Sequence, residues 1–476
     1  MHTLLSCLAI SAAFLPARAL AQDAEATEPA LFVSAQRLII APGEVLEPGQ
    51  VIIRDGLIVA VGQDLEAPEG ATLVSGEVVC SGFIDPWSAL GLDSASQGNS
   101  KVNMASRAVD ALDIFNGANL RQEALGAGVT TVRSQLARGG QKSGIGAVLK
   151  LAGDSRESAV LLAEGAAGAS IGLSQQGRGR FVQDASGTFQ LVSGAQAVDP
   201  FDRLSQVDRL ASSLEGGRTY SQSLIEYRYD LEEWEEDIAE KEKELDKGFK
   251  KAKKARKKDQ DKAEKDDKEF KENKYKEDKK PKAPKFDSEK EAFGRIVNGE
   301  IPLIVQVHRV AEIRELLKAT ERFNRLRLII AGGTEAMSCA EELASRQVSV
   351  VVWPTLLDQS GKQGYDEFDG HKLTLAGRLA AAGVPVLLGS GGQSPRATRD
   401  LPLLAALAIG HGFDRDKAFA AMTLKAAEAL DVADRVGSLA FGKDADLQVL
   451  DGEPLVSTTR VQYVIADGTI VVSPEN

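Results

Sequence analysis

Beyond the first twenty-one residues this chain holds three histidines, His308, His371 and His411, and two cysteines, Cys80 and Cys339. That inventory limits its chemistry. A catalytic zinc takes about three protein ligands and a water, with histidine and cysteine its usual donors. Here the donors are scattered, with no Cys-x-x-Cys spacing. General acid–base work by an imidazole and a carboxylate needs fewer groups. His308, closing the apolar run from Ile301, is the candidate imidazole, and Asp85 and Glu335 are the candidate carboxylates. Each has a plainer alternative. Glu335 caps the helix that follows its strand, where negative charge is favourable. Asp85 orients its strand end, and His308 is held by a hydrogen bond to a neighbour. His371 and His411 read as surface residues. Gly332-Gly333 and Gly391-Gly392 remove side chains from two strand ends, which lets backbone amides face an anion or small solute, or else serves turn geometry alone.

The elements that must position these groups are legible as pattern. Leu31 to Val74 contains short β-rich runs, and Asp55-Gly56 between two of them signals a hairpin. Asp467-Gly468 does the same near the far end, within Val461 to Val472. Between the ends, apolar strand-like runs alternate with helical ones, the pattern of parallel βα units. They are Val78–Asp85, Gly128–Arg133, Gly146–Leu151, Ile301–His308, Arg327–Ala331, Val348–Trp353 and Val384–Leu388, with one more around Ala159–Ala163. Residues 226–286 interrupt them with Lys, Glu and Asp. Leu231, Trp234, Ile238, Leu245 and Phe249 there fall on one helical stripe, so the segment is expected to be a charged helical insertion, either solvated or a docking arm.

Gross composition bounds the rest. The 476 residues suffice for a large α/β barrel and a smaller domain. A net charge of −12 argues against nucleic-acid binding. Residues 1–21 read as a signal peptide, Ala19-Leu20-Ala21 fitting a cleavage site, which implies export to the periplasm or beyond. Leu5-Ser6-Cys7 leaves almost no hydrophobic region before its cysteine, which argues against a lipidated start. No later stretch is apolar enough to span a membrane. Two cysteines make no disulfide framework, and two buried free thiols are expected.

The run Cys80-Ser81-Gly82-Phe83-Ile84-Asp85-Pro86-Trp87-Ser88-Ala89 resembles the strand-one signature of the amidohydrolase superfamily, Gly-Phe-Ile-Asp-x-His-x-His. Ala127 to Arg133, Met422 to Leu430 and Asp434 to Leu447 are similar to its imidazolonepropionase-like branch. The resemblance spans about 31–472 without the insertion. It implies an α/β fold: a (β/α)8 barrel with its site at the C-terminal strand ends, plus a small β-sandwich built from both chain ends. The corresponding boundaries are 31–79 and 433–476 for the sandwich, 80–225 and 287–432 for the barrel. It also implies hydrolysis of carbon–nitrogen bonds at a metal centre. The ligand positions that it implies are mostly altered: Trp87 and Ala89 stand for the strand-one histidines, Gly332 for that of strand six and Gly391 for the strand-eight aspartate. Ser134 follows the strand-two arginine where an aspartate is common, His308 fits strand five, and Lys150 is a loose match for a bridging lysine. Neither an indole nor a methyl group offers a lone pair to a cation.

Three functions stay open: an exported, silent partner or regulatory subunit, associating with itself or with an active paralogue; a divergent carbon–nitrogen hydrolase; and a small-solute binding protein. No cofactor is expected, with zinc required only by the hydrolase.

Overall fold

A computed structural model describes residues 29–92, 102–115, 117–136, 141–172, 180–183, 189–192, 200–263, 279–354, 372–392 and 394–474. The expected signal peptide, His371 and part of the insertion lie outside them.

The chain opens with β1 (Leu31–Ala41), β2 (Glu44–Leu46), β3 (Gly49–Arg54), β4 (Leu57–Gly62) and β5 (Thr72–Ser81). Asp55 and Gly56 both adopt positive φ, the type I′ turn that an Asp-Gly pair favours. β5 pairs in parallel with β1 and antiparallel with a strand from the far end, so it joins the two chain ends and then runs directly into the central α/β region.

Next come β6 (Phe83–Ser88), α1 (Ala118–Gly126), β7 (Val129–Ser134), β8 (Lys142–Ile145), β9 (Ala147–Lys150), α2 (Arg156–Ala159), β10 (Val160–Leu162) and β11 (Ala167–Ser170). A small hairpin, β12 (Arg180–Gln183) and β13 (Phe189–Val192), precedes the 64-residue α3 (Pro200–Ala263). After it follow α4 (Ser288–Val297), β14 (Leu303–Val307), α5 (Val310–Thr320), β15 (Leu328–Gly332), α6 (Ala340–Ser345), β16 (Ser349–Val352), α7 (Leu375–Ala381) and β17 (Val386–Leu388). Helices α8 (Leu401–Gly410), α9 (Arg415–Ala421) and α10 (Leu424–Ala429) lead back to β18 (Leu447–Leu450), β19 (Val461–Ala466) and β20 (Thr469–Val472).

Strands from both ends form one eight-stranded sheet, ordered β20-β19-β18-β5-β1-β3-β4 with β2 on β1. The expected joining of the termini is thus present, as one hydrogen-bonded sheet with its own cluster of Val33, Leu38, Val51, Ile58, Leu447 and Ile465. The two Asp-Gly turns meet there: a Cβ on Gly468 would lie 2.8 Å from Gly56 Cα.

The middle departs from eight parallel βα units. Strands β11, β14, β15, β16 and β17 run parallel in that order, as do β6 and β7. Between these groups β9 is antiparallel to β7 and β8 antiparallel to β11, with only Gly146 separating β8 from β9. The cause is length. Only seven residues link β7 to β8, whereas a parallel return needs a crossover of a dozen or more. The expected strand near 159–163 is the short antiparallel β10. Among the described residues no strand pairing joins β17 to β6, so the sheets do not close by ladder bonds. Ile304, Ile329, Val351 and Leu387 fill the space inside the curved sheets, while Leu303, Val305, Ile330 and Val350 face the helices.

The helix that carries the charged residues from 226 onward begins at Pro200. Val207, Leu210 and Leu214 bury the first turns of α3, and Gly217 and Gly294 let α3 and α4 approach closely. Both cysteines are buried free thiols.

Candidate functional site

His308 follows β14 and is buried. Its Nδ1 is 2.8 Å from Thr334 Oγ1, and its Nε2 is 3.3 Å from Gln306 Nε2. With the Gln306 amide donating to Nε2, the ring proton sits on Nδ1 and is donated to Thr334. The imidazole stands edge-on to Trp353, 5.9 Å between ring centroids.

Asp85, on β6, is fully buried. Its Oδ1 accepts from the backbone N–H of Trp87 (3.1 Å) and of Ser390 (3.0 Å), the second contact holding the loop after β17 against β6. Oδ2 has no hydrogen-bond partner. Burial raises its pKa above the ordinary carboxylate value, although the bonds from Ser390 and Trp87 oppose the shift. Asp85 therefore sits where a strand-end clamp sits.

Glu335 is a cap, but on a different helix from the expected one. Its Oε2 accepts from the backbone N–H of Val310 (2.7 Å), the first residue of α5, and it makes no side-chain cap bond to the short helix that it precedes. The chain reverses after β15, with Glu335 N–H donating to His308 O (2.9 Å), so its side chain reaches the neighbouring strand's helix.

Nor does Lys150 face the barrel mouth. Its ammonium ion-pairs with Asp444 (2.5 Å), Asp446 (3.3 Å) and Asp467, where β9 meets the terminal sheet. Burial opposes its charge, but the three carboxylates hold its pKa above the ordinary lysine value.

The glycines carry the most information. A Cβ on Gly332 would lie 2.8 Å from His308 Nε2. On Gly391 it would lie 3.0 Å from the Trp353 indole, and on Gly392 3.2 Å from that of Trp87. On Gly333 it would meet Val350 and Ala336. All four glycines have positive φ. Side chains of the same chain thus cover the positions expected to face a solute. Sequence reasoning missed Arg133. Its guanidinium is fully buried, stacks 5.1 Å from the centre of the Trp87 ring, and donates to Gln135 Oε1 (3.0 Å) and Ala166 O (2.6 Å). Its Nε has no partner, and burial pushes the group down to about 9. Ser134 beside it donates to Leu90 O. Among the described residues no group of three or more His, Cys, Asp or Glu could hold a metal ion.

The model of the Amidohydrolase family matches residues 310–472. An amidohydrolase of Thermotoga maritima aligns with a TM-score of 0.65 and 22% identity, covering 92% of this chain and 99% of its own. Residues 310–472 thus match the Amidohydrolase family, and the fold of the chain is similar to that of an amidohydrolase. Its fold is also similar to a prolidase crystallised with N-methylphosphonate-L-proline (TM-score 0.52, 18% identity, 93% and 100% covered) and to A. niger ochratoxinase (0.51, 16%, 94% and 96%). No curated protein matches this chain in sequence. Among its described residues no helix is long and apolar enough to cross a membrane.

Proposed function

We propose that this chain is an exported amidohydrolase of the imidazolonepropionase-like branch that no longer hydrolyses, and that it serves as a partner or scaffold subunit. One observation carries the proposal. The positions where the resemblance places metal ligands hold Trp87, Ala89, Gly332 and Gly391, and the rings of His308 and Trp353 lie over those two glycines. The superfamily's divalent metal does not fit these residues. His308 alone matches an expected ligand, and both its nitrogens are engaged by Thr334 and Gln306. The buried guanidinium of Arg133, stacked on the indole at the first ligand position, adds a positive charge where a dication would need carboxylates. Without such an ion no group here lowers the pKa of water from 15.7 to about 7.

Elemental analysis of the purified protein tests this: less than about 0.1 metal per chain is expected, given that structural and catalytic sites need about three ligands. One tightly held zinc, iron or manganese per chain would overturn it. Trp87→His with Ala89→His should leave the protein inactive toward amides and cyclic amides, since Gly332 and Gly391 still offer no donor.

The contact between Thr334 and His308 favours a second reading, a metal-free hydrolase of carbon–nitrogen bonds, because a hydroxyl beside an imidazole is a nucleophile–base pair. That reading requires the opposite ring tautomer. Any hydrolysis of an amide panel that Thr334→Val abolishes would establish it.

A further inference from the structure

The terminal sheet meets β9 at a cluster of charges that does not balance. Lys150 is more than neutralised: Asp444 (2.5 Å), Asp446 (3.3 Å) and Asp467 all pair with its ammonium. Asp444 has a second cation, Arg435, at 2.8 Å. Among the described residues the other approaches bring no positive charge. Lys443, one residue before Asp444, turns its ammonium to Ala433 O and Ser438 Oγ. Where Ser81-Gly82 passes, Gly82 N–H donates to Asp446 O (3.0 Å). A further carboxylate, Asp55, stands across an open cavity of about 410 Å³ that Gly56, Leu57, Arg435, Asp444 and Asp467 also line. Three paired carboxylates thus share two cations, and the joint is one positive charge short.

Its members differ in how firmly they are held. Lys150, Asp444 and Asp446 are buried. The side chain of Asp467 is 40% exposed, and the residue stands at positive φ in the two-residue turn between β19 and β20. That turn is tied down by two amides. Asp467 N–H donates to Asp446 Oδ1 (2.9 Å), and Gly468 N–H donates to Ala445 O (3.3 Å). Surplus negative charge buried around one lysine is costly. Either a carboxylate takes a proton or a carboxylate moves into water, and Asp467 has the open route.

We infer that this joint is a proton-operated latch: with one proton among its carboxylates it holds the β19–β20 turn against β9, and without that proton Asp467 turns out into the cavity. The sign follows from the charge count. The closed cluster takes up a proton that the open one, with its carboxylate in water, releases, so acid favours closure. Burial, opposed by Lys150 and aided by Asp467, raises Asp446 to about 6 from the ordinary 3.8. Closure therefore strengthens as pH falls through 6 toward the ordinary carboxylate value and levels off in neutral solution. The latch operates whether or not the barrel is silent.

Hydrogen exchange of the intact chain, read by mass spectrometry over residues 461–472 and corrected for the intrinsic effect of pH, tests it. At pH 7 this hairpin should be less protected than β14, and its protection should rise about tenfold at pH 5, the gain from one bound proton. Asp446→Asn and Asp467→Asn each remove the surplus charge while keeping the side-chain shape, and asparagine accepts the positive φ at 467. In each variant the hairpin's protection should be flat between pH 5 and 7. Asp467 lies at an exposed turn, so its variant decides the matter even where Asp446→Asn impairs folding. A wild-type hairpin as protected as β14 at pH 7 would overturn the proposal, because the joint would then open only with the whole fold. So would protection that stays level or falls on acidification, or a wild-type slope retained by either variant. None of these results bears on metal content, so the latch and the silent-barrel reading fail separately.

Discussion

Two buried cations lie on the paired strands β7 and β9, and they are neutralised in different ways. Lys150 sits among Asp444, Asp446 and Asp467. Arg133 meets a glutamine, a carbonyl and an indole face, with no carboxylate partner among the described residues. A charge taken out of water without a counter-charge is costly. The first arrangement is a compensated structural joint between β9 and the terminal sheet. The second spreads a buried positive charge over neutral groups.

Removing the ammonium should have the largest effect. Lys150→Met leaves Asp446 buried without a cation, Asp444 keeping its ion pair with Arg435, and should cost about 3–5 kcal/mol in urea unfolding. A loss below about 1 kcal/mol would show that the joint is solvated and erase the contrast. Trp87→Ala should cost a similar or slightly smaller amount, about 3–5 kcal/mol, by removing a fully buried indole from between Arg133, Gly389 and Gly392. Near-wild-type stability of that variant would mean the mouth is loosely packed.

A smaller effect comes from pH. Burial, outweighing Lys150 and reinforced by Asp467, raises Asp446 from the ordinary 3.8 to about 6. Between those values the folded chain binds more protons than the unfolded one, so this group makes stability fall as pH rises. Lowering pH from 7 to 5 should stabilise the protein on the order of 1 kcal/mol through this residue, and Asp446→Asn should flatten that slope in parallel melts. Arg133→Met should change least, within about 1 kcal/mol of wild type, because it relieves an uncompensated charge while losing two hydrogen bonds. A cost matching that of Lys150→Met would erase the distinction between the two cations.

How far the sequence anticipates these features depends on whether the physics is local. Asp55-Gly56 and Asp467-Gly468 set their turns by backbone preference alone, and both hairpins form. Strands β14 to β17 announce themselves through branched apolar runs. Ala167-Gly168-Ala169-Ser170 carries no such signal, and β11 is held by its neighbours Leu303 to Gln306. Direction escaped for a different reason: the run from Gly146 to Leu151 looks like any buried strand, and only the short link before β8 reveals that it runs backwards. The start of α3 at Pro200 was hidden because its first turns are a mixed, half-buried surface rather than a charge run. At the site, the resemblance singles out Asp85 and His308, which lie within β6 and just after β14. It does not disclose that Glu335 reaches across to α5 or that Lys150 turns toward Asp444, since both depend on contacts distant in the chain.

The van der Waals overlap at Gly332 makes the present arrangement a ratchet. A donor side chain introduced at that position would strike the imidazole of His308, the one expected metal-binding histidine still in place, and a carboxylate at Gly391 would strike Trp353. A ligand side chain added singly at either glycine therefore meets a steric penalty before any coordination bond can repay it. Building a metal site on this scaffold calls for simultaneous replacement of both tryptophans and both glycines.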